Sequence, residues 1–177
     1  MVIFIALTGT PGTGKTTIAV AMRERGYKVI DLNQHAKENG LLEDFDEEMG
    51  SYEVDVFRLG LSLEQFKILN GVVFLDGHLS HFLECDKIIV LRCNPSVLYE
   101  RLKERGYDEQ KILENVQAEV LDVILCEASD TGRNVYEIDC TSVPTSTIIS
   151  EVMDILEGAS GHGPGSVDWS GEMEKWC

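Results

Sequence analysis

The chain has 177 residues, 31 acidic and 15 basic side chains, a net charge of −16 and 44% hydrophobic residues. That length fits one domain with a sizeable core, and the apolar share excludes wholesale disorder. Broad binding of a nucleic-acid backbone through net charge is disfavoured, because it calls for excess Lys and Arg. The acidic balance suits solubility, or an acidic patch that meets a basic partner.

No apolar run reaches the roughly 18 residues of a membrane span, so no membrane association is expected. Met1 leads directly into an apolar strand pattern, without the basic start of a secretory signal. The five cysteines form no C-x-x-C and no zinc-finger spacing, which suggests free thiols in a reducing cytosol. A cytoplasmic protein is expected.

Residues 2–7 are a continuous apolar run, as for a strand buried on both faces. Then comes Gly9-Thr-Pro-Gly-Thr-Gly-Lys-Thr16, a complete G-x-x-x-x-G-K-[ST]. A helix is expected from Thr17 to Arg25, stopped by Gly26. In this motif the glycines let backbone N–H groups surround phosphate oxygens, Lys15 faces the β- and γ-phosphates, and Thr16 offers a hydroxyl to Mg²⁺. The dipole at the helix start adds to the anion site.

Lys28–Ile30 reads as a second strand. Residues 31–60 hold nine acids against Lys37 and Arg58, seven of the sixteen net negative charges. A short helix over 33–39 and then an irregular acidic loop are expected there. Ser62-Leu-Glu-Gln65 matches a capping box and predicts a helix to about Asn70.

Val72–Leu75 reads as a strand ending on Asp76-Gly77-His78, the place where P-loop folds set a carboxylate for Mg²⁺. His78 is placed to orient a water or a substrate hydroxyl; His81 reads as incidental. Lys87–Leu91 is a fourth strand. Asn94-Pro95 starts a helix that runs to about Arg105. On it Arg101 and Arg105 share a face, able to meet transferring phosphoryl charge or to pair with nearby glutamates. Asp108 caps a helix expected to reach Ala128, Val135–Ile138 is a fifth strand, and Thr145–Glu157 a last helix. Of the twenty residues after Glu157 five are Gly, a composition for a mobile tail, yet Trp169 and Trp176 are too apolar for a pure linker; one is expected to dock, on this chain or on a partner. Strands alternating with helices predict an α/β fold with a parallel sheet. There is no N-K-x-D guanine reader, which disfavours a switch GTPase.

The chain resembles the P-loop nucleoside monophosphate (NMP) kinases, and within them the archaeal branch of the adenylate kinase isoenzyme 6 family. The likeness rests on residues 7–17, Asp76-Gly-His78, residues 97–107 with Glu114-Asn115, and less strongly on Asp46-Glu-Glu48 and Glu127-Ala128. Asp-x-His replaces the Asp-Gly-x-Pro-Arg of ordinary adenylate kinases, and there is room only for a short lid. The resemblance implies a three-layer P-loop fold with about five strands in residues 1–157, an NMP-binding segment at 31–55 and a lid at 104–114.

The implied activity is phosphoryl transfer from ATP to AMP with Mg²⁺, together with ATP hydrolysis. A part in maturation of the small ribosomal subunit is also implied, through a basic small-subunit ribosomal protein. Gly12, Thr13, Gly14, Lys15, Thr16, Thr17, Arg101 and Arg105 would hold ATP. Lys15, Asp76, His78 and Arg105 would serve catalysis, and Thr16 and Asp76 the metal. Asp31, Lys37 and Arg58 would serve the acceptor. Lys37 stands where many relatives use Arg and lacks its bidentate fork. The alternatives are an assembly ATPase for a ribosomal protein and a P-loop kinase for another small acceptor, such as a sugar or shikimate.

Overall fold

A computed structural model describes residues 1–46 and 51–177, and side chains outside 43–53. Five parallel strands form its sheet: β1 (Val2–Thr8), β2 (Lys28–Asp31), β5 (Gly71–Asp76), β6 (Lys87–Arg92) and β7 (Asn134–Asp139). Their spatial order is β2-β5-β1-β6-β7. The remaining strands, β3 (Leu42–Asp46) and β4 (Ser51–Val54), pair as an antiparallel hairpin. The helices are α1 (Lys15–Glu24), α2 (Leu32–Glu38), α3 (Val56–Ser62), α4 (Pro95–Glu104), α5 (Glu109–Val120), α6 (Val123–Asp130), α7 (Thr145–Glu157) and a terminal turn α8 (Met173–Trp176). Among the described residues no helix is long and apolar enough to cross a membrane.

The apolar strand runs follow from burial on both faces. In β1, Ile5 and Leu7 pack with Ile89, Leu91 and Phe74 under α1 and α7. Phe4 and Ala6 point the other way. Phe4 joins Val73, Leu75 and the α2–α3 region, and Ala6 joins Ile88, Val90 and Leu125 of α6. Period-two alternation thus builds a core on each side of one sheet. β1 lies at the centre, with β5 on one side and β6 on the other, so its C-terminal end opens at the topological switch.

The structure corrects three local expectations. Residues 42–46 and 51–54 are strands and 56–62 is helical, so much of the expected acidic loop is regular; Glu47 and Glu48 lie outside the described residues. Asp55 caps α3 by accepting from the Arg58 N–H at 3.0 Å. Ser62 therefore ends a helix instead of starting one. Its hydroxyl donates to the Leu59 carbonyl at 2.7 Å, and residues 63–68 continue as a 3-10 helix.

The third correction is the helix expected over 108–128, which breaks at Asp122. That residue adopts φ 55, a left-handed conformation that Asp tolerates better than most side chains. The break lets its carboxylate reach Arg92.

The tail packs on the body. The Glu137 N–H donates to the His162 carbonyl at 2.7 Å. Trp176 stacks on Tyr99 with centroids 5.2 Å apart, and the Trp169 indole N–H reaches Glu119 at 3.2 Å.

Candidate active site

The loop after β1 carries the anion site. Gly9 has φ +139, and a Cβ there would lie 2.4 Å from the Leu91 carbonyl oxygen. Gly12 has φ +94, and its Cβ would meet Leu98 Cδ1 at 2.8 Å. Only glycine lets this loop lie this close against β6 and α4. α1 starts at Lys15, and its N-terminus faces the same space.

Lys15 Nζ donates to the carbonyls of Gly9 at 2.5 Å and Thr10 at 3.0 Å. Burial lowers its pKa from 10.5 to about 8, against the opposing pull of Asp76 and Glu119. A phosphate oxygen placed beside Nζ would hold the ammonium charged.

A cleft of about 590 Å³ opens from the loop. Lys15, Thr16 and Thr17 line one wall, Asp31, Asn33, Asp76 and His78 another, and Arg105, Tyr107, Lys111, Glu114 and Asn115 a third. Asp31 and Asp76 end neighbouring strands as direct register partners. Asp76 is buried. Its pKa is raised by burial and then by the Asp31 charge, while Lys15 and Arg23 oppose the shift.

Two crowded carboxylates beside a threonine hydroxyl form a donor set that a divalent cation would relieve. Among the described residues no group of three or more His, Cys, Asp or Glu forms a cage for a metal ion. Mg²⁺ takes one or two carboxylates and completes its shell from phosphates and water, and the Asp31–Asp76 pair beside Thr16 offers that donor set.

His78 stands at the cleft mouth. Its pKa is lowered by desolvation within the cleft and then by the charge of Lys15, which favours the neutral imidazole. Its backbone carbonyl accepts from the Thr8 hydroxyl at 3.1 Å. His81, read as incidental in sequence, is fully buried. Its ring nitrogens contact Thr8 Oγ1 at 3.1 Å and the Glu127 carboxylate at 3.2 Å, which ties the turn after β5 to α6.

Arg101 on α4 and Arg105 at its C-cap part company. Arg105 lines this cleft and also a second cavity of about 470 Å³. That cavity is bounded by Gly12, Thr13, Gly14, Thr17 and the start of α7. Arg101 borders the second cavity alone. Its guanidinium donates to the carbonyls of Thr141 at 2.5 Å, Cys140 at 2.9 Å and Gly12 at 3.5 Å.

Lys37 on α2 and Arg58 on α3 are exposed, and neither is among the described residues lining the cleft. Lys111 lines it and was missed. Its signal was its place one helical turn before Asn115 on the α5 face that carries Glu114-Asn115.

Beneath the loop lies a buried charged group. Arg92, at the end of β6, is 1% exposed. Its guanidinium binds Glu119 at 2.8 Å, Glu137 at 2.7 Å, and Asp122. Such charges stay buried only when paired and hydrogen-bonded.

Residues 5–122 match a family described as an AAA domain. A protein from Archaeoglobus fulgidus named "Putative adenylate kinase" is 47% identical, over 96% of this chain and 93% of its own length. One of the same name from Methanocaldococcus jannaschii is 46% identical over 94% and 92%. Among solved structures, deoxyadenosine kinase from M. mycoides superposes with TM-score 0.54 at 19% identity, covering 89% of this chain and all of that one. Shikimate kinase from Acinetobacter baumannii superposes with TM-score 0.61 at 14% identity, covering 89% and 94%. At these identities the structural likeness concerns the fold alone. The chain belongs to the P-loop nucleotide kinases, with the archaeal adenylate-kinase-like proteins of the isoenzyme 6 branch that its sequence resembles.

Proposed function

We propose that the protein transfers the γ-phosphoryl group of ATP to AMP, and hydrolyses ATP when no acceptor is bound. The observation that carries this reading is one cleft containing the P-loop lysine, the Asp31–Asp76 pair, His78 and Arg105 together. The nucleotide would lie across the loop, with its base toward the second cavity between the loop and α7 and its γ-phosphate toward Asp76. Thr16 and Asp76 would hold Mg²⁺, which when bound supplies charge neutralisation on the phosphates. Lys15 orients and neutralises the transferring group. Arg105, exposed at the end of α4, can swing onto the same charge.

The acceptor enters beside Asp31 and Asn33. Lys37 and Arg58 lie outside the cleft, so their service to the acceptor phosphate requires α2 and α3 to close over it. Residues 104–114 would act as the lid. His78, neutral and at the mouth, is placed to accept a proton from water or to orient it. This supports hydrolysis as the second activity.

Lys37→Ala tests the acceptor reading. The expected result is an AMP KM raised about tenfold with the ATP KM within twofold. An unchanged AMP KM would remove Lys37 from the acceptor site. A basic small-subunit ribosomal protein as partner is supported by the charge of −16 alone. Its binding should weaken steeply with added salt, and salt-independent affinity would contradict it.

A further inference from the structure

Thr10 is the pivot of the anion loop. Its carbonyl accepts from Lys15 Nζ at 3.0 Å, from the Thr13 N–H at 3.2 Å and from Thr13 Oγ1 at 2.9 Å. Its side chain turns away from the cleft, and Oγ1 donates to Glu119 Oε2 at 2.6 Å. Glu119 projects from α5 and is 3% exposed. Its other oxygen accepts from Arg92 Nε at 2.8 Å, the Cys93 N–H at 3.1 Å and the Trp169 indole N–H at 3.2 Å. One buried carboxylate thus joins the anion loop, the end of β6, helix α5 and the C-terminal tail.

We infer that Glu119 is a positioning residue of the nucleotide site, holding the loop from beneath through Thr10, and that the tail serves the same site by completing the Glu119 hydrogen-bond set through Trp169. A short bond to a carboxylate with three other donors is stiff, because the carboxylate has no freedom to follow the loop. A fixed Thr10 fixes the carbonyl that orients Lys15 and the Thr13 turn beside it. The tail residue reaches the loop through the two oxygens of one carboxylate, Trp169 on Oε1 and Thr10 on Oε2, so it acts on ATP without touching it. This inference rests on the loop binding a nucleotide, not on AMP being the acceptor.

The test is calorimetric titration of the full chain with MgATP, with initial rates giving KM apart from kcat. Thr10→Val keeps the β-branch and removes the hydroxyl. The expected result is a Kd for MgATP raised about tenfold, with kcat changed much less. Thr10→Ser restores the donor and should bind within about twofold of the wild type. Trp169→Phe keeps an aromatic ring, removes the N–H and leaves the loop sequence intact; a rise in Kd of about threefold is expected.

Wild-type affinity in Thr10→Val, or an equal loss in Thr10→Ser, would overturn the role of the Thr10–Glu119 bond. Should Thr10→Val not fold, Trp169→Phe decides, since unchanged affinity there contradicts the coupling. If the wild-type protein binds MgATP but makes no ADP from AMP, the proposed function fails while this inference keeps its readout.

Discussion

Gly9 shows how tightly single residues are constrained here. With φ +139 and the Leu91 carbonyl 2.4 Å from any Cβ, alanine would have to strain the loop and push it from β6. Gly9→Ala should cost about 2–3 kcal/mol, seen as a fall in Tm of roughly 5–10 °C. A melt within 1–2 °C of wild type, on the order of the ordinary surface substitution, would contradict the packing described. His78→Ala should lower ATP hydrolysis about a hundredfold and transfer to AMP far less, because AMP supplies its own nucleophile. Equal losses, measured by counting phosphate and ADP separately, would deny His78 a part in hydrolysis.

The P-loop is legible at this scale because its chemistry is local, with every group within eight consecutive residues. Glu119 is not. Its three side-chain partners, Thr10, Arg92 and Trp169, lie 109, 27 and 50 residues away, and no spacing rule links them.

Among the elements, α2 is pinned to α3 by His35. Its Nε2 meets Ser62 Oγ at 2.8 Å, and its Nδ1 meets the Asn39 amide at 3.3 Å. Ser62 itself donates to Leu59, so the imidazole donates from Nε2 and accepts at Nδ1, the neutral tautomer. Burial lowers the His35 pKa, with Glu38 opposing. The stability held by the neutral ring is therefore full above about pH 6.5, the unfolded value, and is lost as pH falls to and through the lower folded value. Tm measured from pH 7.5 to 5.5 should fall more for wild type than for His35→Gln. Parallel curves would show that His35 does not titrate in folding.

Elements with strong periodicity or clear caps, such as β1, α4 and α7, could be read directly. The region of α3 could not. Its seven residues carry no full amphipathic repeat, and Ser62-x-x-Gln65 imitates a helix start where one helix ends. The β3–β4 hairpin was hidden by acidic residues that are usually depleted in strands.

At the scale of the molecule, Arg92 is the point on which the sheet, α5, α6 and the tail converge. β6 alone suggested nothing more than a strand end, although an arginine closing four apolar residues in a two-sided sheet was a usable signal. Arg92→Leu would strand Glu119 and Glu137 in the interior without their counter-charge. It should cost about 3–5 kcal/mol and lower Tm by roughly 10 °C or more. A melt close to wild type would show that Arg92 does not hold the buried acids in place. The tail was read in sequence only as Gly-rich with two apolar anchors. Its course over β7 and α5 follows from Glu137, Glu119 and Tyr99, each distant in sequence from the residue it meets.

The proposed reaction of the cleft is phosphoryl transfer from ATP to AMP. The direct test incubates the purified protein with MgATP, with and without AMP, and counts ADP, AMP and inorganic phosphate in each tube. The expected result is that AMP is consumed, that two ADP form per ATP, and that phosphate appears mainly when AMP is left out. Phosphate released at the same rate in both tubes, with AMP intact, would contradict it.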